Sequence, residues 1–377
     1  MKNILMVITK LSNGGAERAI TLLAKNLSKE YNVKIVTFDN SFQEYSSNVE
    51  VIDLKTKITN NILKKITNFI VRIFKIKKLK RKYKIDYTIS FLPGPNLINC
   101  LSRVNDKIIV SVRNIQSRLE KSFFRDIANQ ISFWNADKIV TVCNSVKNDI
   151  CNTYKIDKNK LITIYNTYDE EEIDKKKLEH VEESDLFERN LTVITVGRLI
   201  KQKGQWHLIR AFKEVINKLP NAKLIILGRG ELEQYLLDVI KSNQLEQNVH
   251  LLGFCPNPYK YMYNSDLFVL PSLYEGMSNV LLEAMACELP IIATNCDGGN
   301  NEILQNNSGI LINQLDGNLY LYAPLSQEEE ELKEKIIQIL TDKELRDIYK
   351  NKSKSRINDF KKDVNLKKWT SLLESLK

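Results

Sequence analysis

Residues 275–294 read EGMSNVLLEAMACELPIIAT, and their reading decides the fold. LPIIAT is a short apolar strand, NVLLEAMAC before it reads as a buried helix, and LFVLPS (267–272) is an earlier strand ending at Pro271. Strand, loop, helix and strand in that order form a unit of parallel sheet. The helix is expected from about Asn279 to Glu288, with Ser278 placed to cap it. Glu275 then lies in the loop beyond the strand end, and Glu283 about one turn into the helix. Eight residues apart on one continuous helix, the two would stand about 80° out of phase. A bend at Gly276 lets both point into one cleft. Carboxylates so placed accept hydrogen bonds from paired hydroxyls, which suits a ribose and a sugar ring held across a diphosphate. The plainer alternative is a solvent-facing Glu283 and a loop charge at Glu275.

The same alternation runs along the chain. NILMVIT, VKIVTF, YTISFL, KIIVSV and KIVTV in the first half, and LTVITVG, AKLIILG, NVHLLG, LFVLP and PIIAT in the second, are short apolar runs separated by helical stretches such as GGAERAITLLAKNLSKE and residues 205–218 and 231–243. Runs of this kind imply parallel sheets covered on both faces. The fold class is therefore α/β, with two Rossmann-like domains forming a bilobed molecule around a cleft. We expect domains at 1–185 and 186–355 and a terminal segment at 356–377. The helical stretch with Trp369, Leu372 and Leu373 is expected to cross back onto the first domain.

Charge divides the chain at a similar place. Residues 1–166 carry 29 Lys and Arg against 13 Asp and Glu, and residues 167–377 carry 27 against 33. The change falls at the polar segment 169–190, which reads as a linker or surface excursion. Six cysteines without a CxxC pair or a histidine cluster fit reduced thiols of a cytosolic protein. The N-terminal ILMVI run reads as a strand and not as a signal peptide, and the longest uncharged run, residues 87–102, is broken by Pro93, Gly94 and Pro95.

In sheets of this type ligands sit beyond the carboxyl ends of the strands. After the first strand comes SNGGAERA, where Gly14 and Gly15 let the backbone approach an anion at a helix start. An ordinary turn capped by Ser12 or Asn13 is the alternative. The pattern is not GxGxxG, so a nicotinamide or flavin is unsupported. In the second half VGRLIKQKG puts Arg198 after a strand and Lys203 before Gly204, two cations suited to a diphosphate.

GGAER, GRLxxxKG, LGxG at residues 227–230, and EGMSNVLLEAMAC followed by LPIIAT, in this order, resemble family 4 of the retaining glycosyltransferases, with the GT-B fold. The resemblance implies that Arg198 and Lys203 hold the donor diphosphate and neutralise the leaving group. It implies that Glu283 binds the ribose and that Glu275 contacts the transferred sugar, making Arg198, Lys203 and Glu275 the catalytic groups. Backbone N–H groups of Gly276, Met277, Ser278 and Asn279 assist, Gly228 joins the donor site, and Gly14 and Gly15 close on the phosphate from the opposite domain. Phe254, beside Cys255, lies where the base is read. Two departures stand out. The histidine common near the donor sugar is missing from the first domain, where SVRN offers Arg113 and Asn114 to line the cleft; the histidines are His180, His207 and His250. The usual GPxEI segment reads GGNNEIL here.

The resemblance implies transfer with retention through an oxocarbenium-like front-face reaction, from a nucleotide sugar taken as UDP-linked, with domain closure on the donor. Fixed cations can stabilise the leaving group, and no DxD motif occurs, so no metal and no other cofactor are expected. Residues 55–84 hold 12 Lys and Arg and no acid. Ile62, Ile66, Phe69, Ile73, Ile76, Leu79 and Tyr83 form a stripe at helical spacing. Lys64, Lys65, Arg72, Lys75, Lys77, Lys78, Lys80, Arg81 and Lys82 give the cationic face expected to lie on an anionic membrane surface. The alternative is a domain helix whose stripe faces the core. Together with this face, the family resemblance implies a lipid-linked glycan acceptor, a place on the inner face of the cell membrane, and work in capsule, O-antigen or related polysaccharide synthesis. No nucleic-acid module accompanies the basic half. A non-catalytic membrane-associated scaffold and a nucleotide-sugar epimerase are the rival readings.

Overall fold

The computed structural model describes residues 1–12, 14–41, 49–57 and 59–376, and it divides into residues 1–167 with 362–377, and residues 168–361. Asn13, the second candidate cap, lies outside the described residues.

The first unit contains β1 (Asn3–Ile8), α1 (Gly15–Leu27), β2 (Asn32–Thr37), β3 (Glu50–Asp53), α2 (Ile62–Lys82), β4 (Tyr87–Phe91), α3 (Pro93–Leu101), β5 (Lys107–Val112), α4 (Phe123–Asn135), β6 (Lys138–Thr141), α5 (Asn144–Tyr154) and β7 (Leu161–Thr163). Among the described residues these make one seven-stranded parallel sheet in the order β3-β2-β1-β4-β5-β6-β7. Its strands are apolar on both faces because both are covered. Ile4, Met6 and Ile8 pack with Ile20, Leu23 and Leu27 of α1, whereas Leu5 and Val7 pack with Ile76 of α2 and Ile98 of α3.

The second unit contains α6 (Glu170–Lys176), β8 (Leu191–Val196), α7 (Gln205–Lys218), β9 (Ala222–Leu227), α8 (Glu233–Ser242), β10 (Val249–Gly253), α9 (Tyr259–Tyr263), β11 (Leu267–Leu270), α10 (Asn279–Ala286), β12 (Ile291–Thr294), α11 (Asn300–Ile303), β13 (Ile310–Ile312), α12 (Gln327–Thr341) and α13 (Lys343–Arg356). Its described strands form a six-stranded parallel sheet, β10-β9-β8-β11-β12-β13. Trp206, Leu208 and Phe212 of α7 and Leu332 and Ile336 of α12 lie in its core. The last helix, α14 (Lys362–Glu374), belongs to the first unit, where Trp369, Leu372 and Leu373 join the face covered by α1.

The unit boundaries differ from the sequence-based ones. Residues 168–185, read with the first domain, belong to the second. Ile173 is fully buried, and Asn257 donates to Lys176 O and Glu179 Oε2, both at 2.8 Å. The polar segment is thus docked and is no free linker. Residues 356–361 also stay with the second unit, anchored by buried Ile357 and Phe360, so the return begins at 362.

Helix α2 corrects the assignment of its cations and of its stripe. Lys80 is fully buried; it pairs with Asp106 at 2.8 Å and donates to Asn99 Oδ1, so it cannot touch a membrane. Arg72 donates to Thr56 Oγ1 and O and stacks on Phe38, and Lys75 donates to Leu54 O, so both are tied to their own domain. Phe69, Ile73, Ile76, Leu79 and Tyr83 pack inward, as the domain-helix alternative has it. Ile62 and Ile66 of the same stripe face outward, with Leu63, Ile70 and Phe74.

Candidate active site

In the second sheet the chain reverses its direction of growth between β8 and β11, and this is where open parallel sheets take ligands. Arg198 stands exposed just past β8. Lys203 follows on the short turn before α7, and Glu275 comes from the loop after β11. The two meet across the switch point: Lys203 Nζ lies 2.5 Å from Glu275 Oε1, which also accepts from Ser272 Oγ at 2.7 Å. Gly204 fixes the lysine's turn. At φ +62° its absent Cβ would lie 2.2 Å from Pro271 O, so the backbones of the two loops touch where a side chain cannot fit.

Both glutamates are buried, Glu275 at 5% exposure and Glu283 at 8%, which removes the solvent-facing alternative. The loop between them is fastened from behind. Glu275 N donates to Asp297 O, Gly299 N to Gly276 O, and Asn300 Nδ2 to Thr294 O. Gly298, at φ +136° with its Cβ position 2.1 Å from Glu275 O, permits that close approach. Ser278 holds the N-cap position of α10 without capping it; its hydroxyl donates to Asn300 Oδ1 at 3.1 Å. Met277 is buried beside it, and Asn279 opens the helix. Gly228 follows β9, with its N–H on Gly253 O, and Phe254 follows β10 half exposed. Arg198, Lys203, Gly228, Phe254 and Glu275 therefore all project from one carboxyl edge.

Sequence reasoning missed two contributors. Ser272 sits inside the apolar-looking LPS and positions Glu275. The segment after β13 reaches the same loop, with Gln314 Nε2 donating to Leu273 O at 3.2 Å and Gly317 lying against Lys201. A serine next to a strand-ending proline is a faint signal; the second contact has none in the sequence.

The first-domain candidates gather at the carboxyl edge of their own sheet. Gly14 is the N-cap of α1 and Gly15 its first residue. The Glu17 carboxylate folds over this terminus, its Oε2 2.1 Å from where a Gly14 Cβ would be. An anion arriving there has to move Glu17. Arg113, past β5, donates to Asn166 Oδ1 at 2.5 Å and lies over the Phe91 ring; burial pushes its pKa down to about 10 against the opposing pull of Glu17. Asn114 beside it is exposed, its carbonyl accepting from Gln116.

The description Glycosyl transferases group 1 matches residues 176–356, and Glycosyltransferase Family 4 matches residues 13–172. An uncharacterized glycosyltransferase of Methanocaldococcus jannaschii is 33% identical over 93% of this chain and 94% of its own. The N-acetylgalactosamine-N,N'-diacetylbacillosaminyl-diphospho-undecaprenol 4-alpha-N-acetylgalactosaminyltransferase of Campylobacter jejuni is 30% identical over 96% of both chains. The chain is a family 4 glycosyltransferase. HepE of Anabaena in complex with UDP has a TM-score of 0.79 at 18% identity, over 100% of both chains. Sucrose-phosphate synthase of Thermosynechococcus elongatus has 0.81 at 17%, over 100% of this chain and 99% of its own. At these identities the likeness speaks for the fold, which is GT-B.

Membership gives the departures from the family pattern a structural setting. In this glycosyltransferase His207 is a packing residue: Nδ1 lies 2.7 Å from Glu329 Oε1, which Arg210 Nε also reaches at 2.8 Å, pinning α12 to α7. His250 lies within β10. The GGNNEIL segment supplies Gly298 and Asn300, the fasteners of the Glu275 loop, so its altered sequence acts on the position of that loop.

Proposed function

We propose that this glycosyltransferase transfers a sugar from a nucleoside diphosphate donor, UDP-linked in the first instance, to a lipid-linked glycan in surface polysaccharide synthesis, with retention and without a metal. The observation that carries the reading is the meeting of Lys203 and Glu275, beside Arg198, at the switch point of the second sheet. As the anomeric bond breaks, the leaving diphosphate gathers negative charge, and an ammonium and a guanidinium group engaged on it when the donor binds stabilise it. Lys203 passes from Glu275 to the phosphate. Glu275, so released, accepts hydrogen bonds from the sugar, and Glu283 accepts from the ribose. The acceptor hydroxyl enters on the leaving-group face and gives its proton to the departing phosphate oxygen. The lipid-linked acceptor is supported by the diphospho-undecaprenol in the Campylobacter relative's name, and the polymer by CapM of Staphylococcus aureus, a capsular polysaccharide biosynthesis glycosyltransferase 25% identical over 88% of this chain. UDP is the nucleotide held by the similarly folded HepE.

An anionic membrane surface is the second part of the proposal. Among the described residues no helix is long and apolar enough to cross a bilayer. Helix α2 nevertheless turns Ile62, Leu63, Ile66, Ile70 and Phe74 to solvent, with Leu63 at 76% exposure and Phe74 at 67%, among the exposed Lys64, Lys65 and Lys78. Both α2 and α4 pack on α3, and α4 exposes Phe123 and Phe124, the latter at 84%. Apolar side chains interleaved with lysines on one side of a domain suit insertion at the headgroup level.

Calorimetry with UDP, GDP, ADP and CMP, with and without Mg²⁺, tests the donor reading. One diphosphate is expected to bind regardless of Mg²⁺ and to lose affinity in Glu283→Ala and Arg198→Ala. A folded sample that binds none of them refutes the reading and favours the scaffold alternative.

A further inference from the structure

At the amino-terminal edge of the first sheet, the edge opposite Gly14 and Arg113, a cleft of about 760 Å³ opens between the end of α2 and the starts of β1, β4 and β5. Seven cations line it against one carboxylate, Asp86, which already accepts from Asn3 N at 2.7 Å. Lys80 is neutralised by Asp106 and Arg103 by Asp137, and Lys2 donates to Tyr87 Oη. Lys77, Arg81, Lys84 and Lys107 have no carboxylate partner among the described residues. Four uncompensated cations around one concavity repel one another and focus a positive potential into it. Lysines scattered over a convex face would not concentrate charge in this way.

The outward face of α2 leads into this cleft. Ile66, Ile70, Phe74, Lys77 and Arg81 follow one another at spacings of three and four, so the exposed apolar stripe ends at the cationic rim. We propose that the cleft binds a phosphate-class group carrying two or more negative charges, at a site separate from the donor diphosphate. Two sources present this chemistry, the headgroups of an anionic bilayer on which the stripe rests and a soluble diphosphate. The inference does not depend on the donor-site reading, since it draws on no residue of that site.

The test uses the full chain, with inorganic pyrophosphate in calorimetry and phosphatidylglycerol or phosphatidylcholine vesicles in sedimentation. Wild type is compared with Lys84→Glu/Lys107→Glu, with the milder Lys84→Gln/Lys107→Gln in case charge reversal impairs folding, and with Arg198→Ala. Near an anionic surface each cation is worth about fivefold, so the pocket variants, each lacking two, are expected to lose about 25-fold or more, and added salt to weaken wild type. Loss on phosphatidylglycerol vesicles in the pocket variants identifies headgroups as the source. Loss for pyrophosphate alone identifies a soluble anion. If the pocket variants keep wild-type affinity for both probes, with pyrophosphate binding then lost only in Arg198→Ala, the proposal is overturned.

Discussion

Removing Lys203 separates its two roles, because stability and donor binding should respond differently when its partner is removed as well. The side chains of Lys203 and Glu275 are 14% and 7% exposed, so the pair stands largely out of water. In Lys203→Met the Glu275 carboxylate keeps only the Ser272 hydroxyl, at 2.7 Å, among its observed partners. An uncompensated buried charge costs about 3–5 kcal/mol, and the residual hydroxyl bond and partial exposure bring this to about 2–3 kcal/mol. Glu275→Gln should cost a similar amount by stranding the ammonium. The double variant Lys203→Met/Glu275→Gln leaves no charge to strand and should return to within about 1 kcal/mol of wild type. Donor affinity follows another rule. A charge-assisted bond to phosphate contributes about 1.5–3 kcal/mol, roughly 10- to 150-fold in Kd, and should be missing from both Lys203→Met and the double variant. Urea denaturation reads the first quantity and UDP calorimetry the second. If the double variant is destabilised by the full sum of the single ones, the pair is not coupled. If UDP affinity recovers along with stability, Lys203 serves only as the partner of Glu275.

Other outcomes follow from particular contacts. Lys80→Met should lower stability by about 2–3 kcal/mol, because the buried Asp106 loses its cation and keeps only the Thr88 hydroxyl and the Val104 N–H, yet vesicle sedimentation of the folded fraction should match wild type. Burial alone would raise the Glu329 pKa, but hydrogen bonds from His207 and Arg210 outweigh it and hold the carboxyl at about 2, against an ordinary 4.5. Its contribution, about 3 kcal/mol, is present above pH 4.5 and lost as pH falls towards 2, so Glu329→Gln should flatten the acid limb of a stability–pH curve. Burial pushes the thiols of Cys100, Cys287 and Cys296 up to about 12, so a thiol reagent at pH 8 should label Cys151 first and these three only after denaturation. Gly204→Ala, strained at φ +62° and blocked by Pro271 O, should destabilise the fold by about 1–3 kcal/mol and weaken UDP binding by displacing Lys203.

The sheets were legible because strands buried on both faces are predominantly apolar runs, interrupted here mainly by small Thr and Ser; β1, β4, β5, β8, β9 and β11 are all of this kind. Edge strands lack that signature. In β3, β7 and β13, three or four residues long and partly exposed, the pattern is too brief to separate from a loop. The segment 169–190 misled for a related reason: one buried Ile173 and a set of hydrogen bonds dock it, and polar contacts leave no periodicity. At the site, sequence placed Arg198, Lys203 and Glu275 past the ends of the correct strands and Glu283 inside the helix that follows. It did not reveal that Lys203 and Glu275 pair, because that contact joins residues far apart in the chain.

Helix α2 shows which kind of error a sequence reading could have avoided. Its apolar residues cover more than one face, and spacing alone does not say which face meets the core. Once Phe69, Ile73 and Ile76 are known to be inside, the spacing sorts the cations as well. Lys80 lies four residues beyond Ile76, on the buried line, so its charge needs a partner, and Asp106 supplies one. Arg72, three residues beyond Phe69, lies at the edge of that line and turns to Thr56. Lys77 and Arg81 instead continue the exposed line of Ile70 and Phe74, where no carboxylate answers them among the described residues. One uninterrupted basic run therefore holds two kinds of charge: inner cations whose loss should destabilise the domain, and outer cations whose loss should affect only what the domain binds.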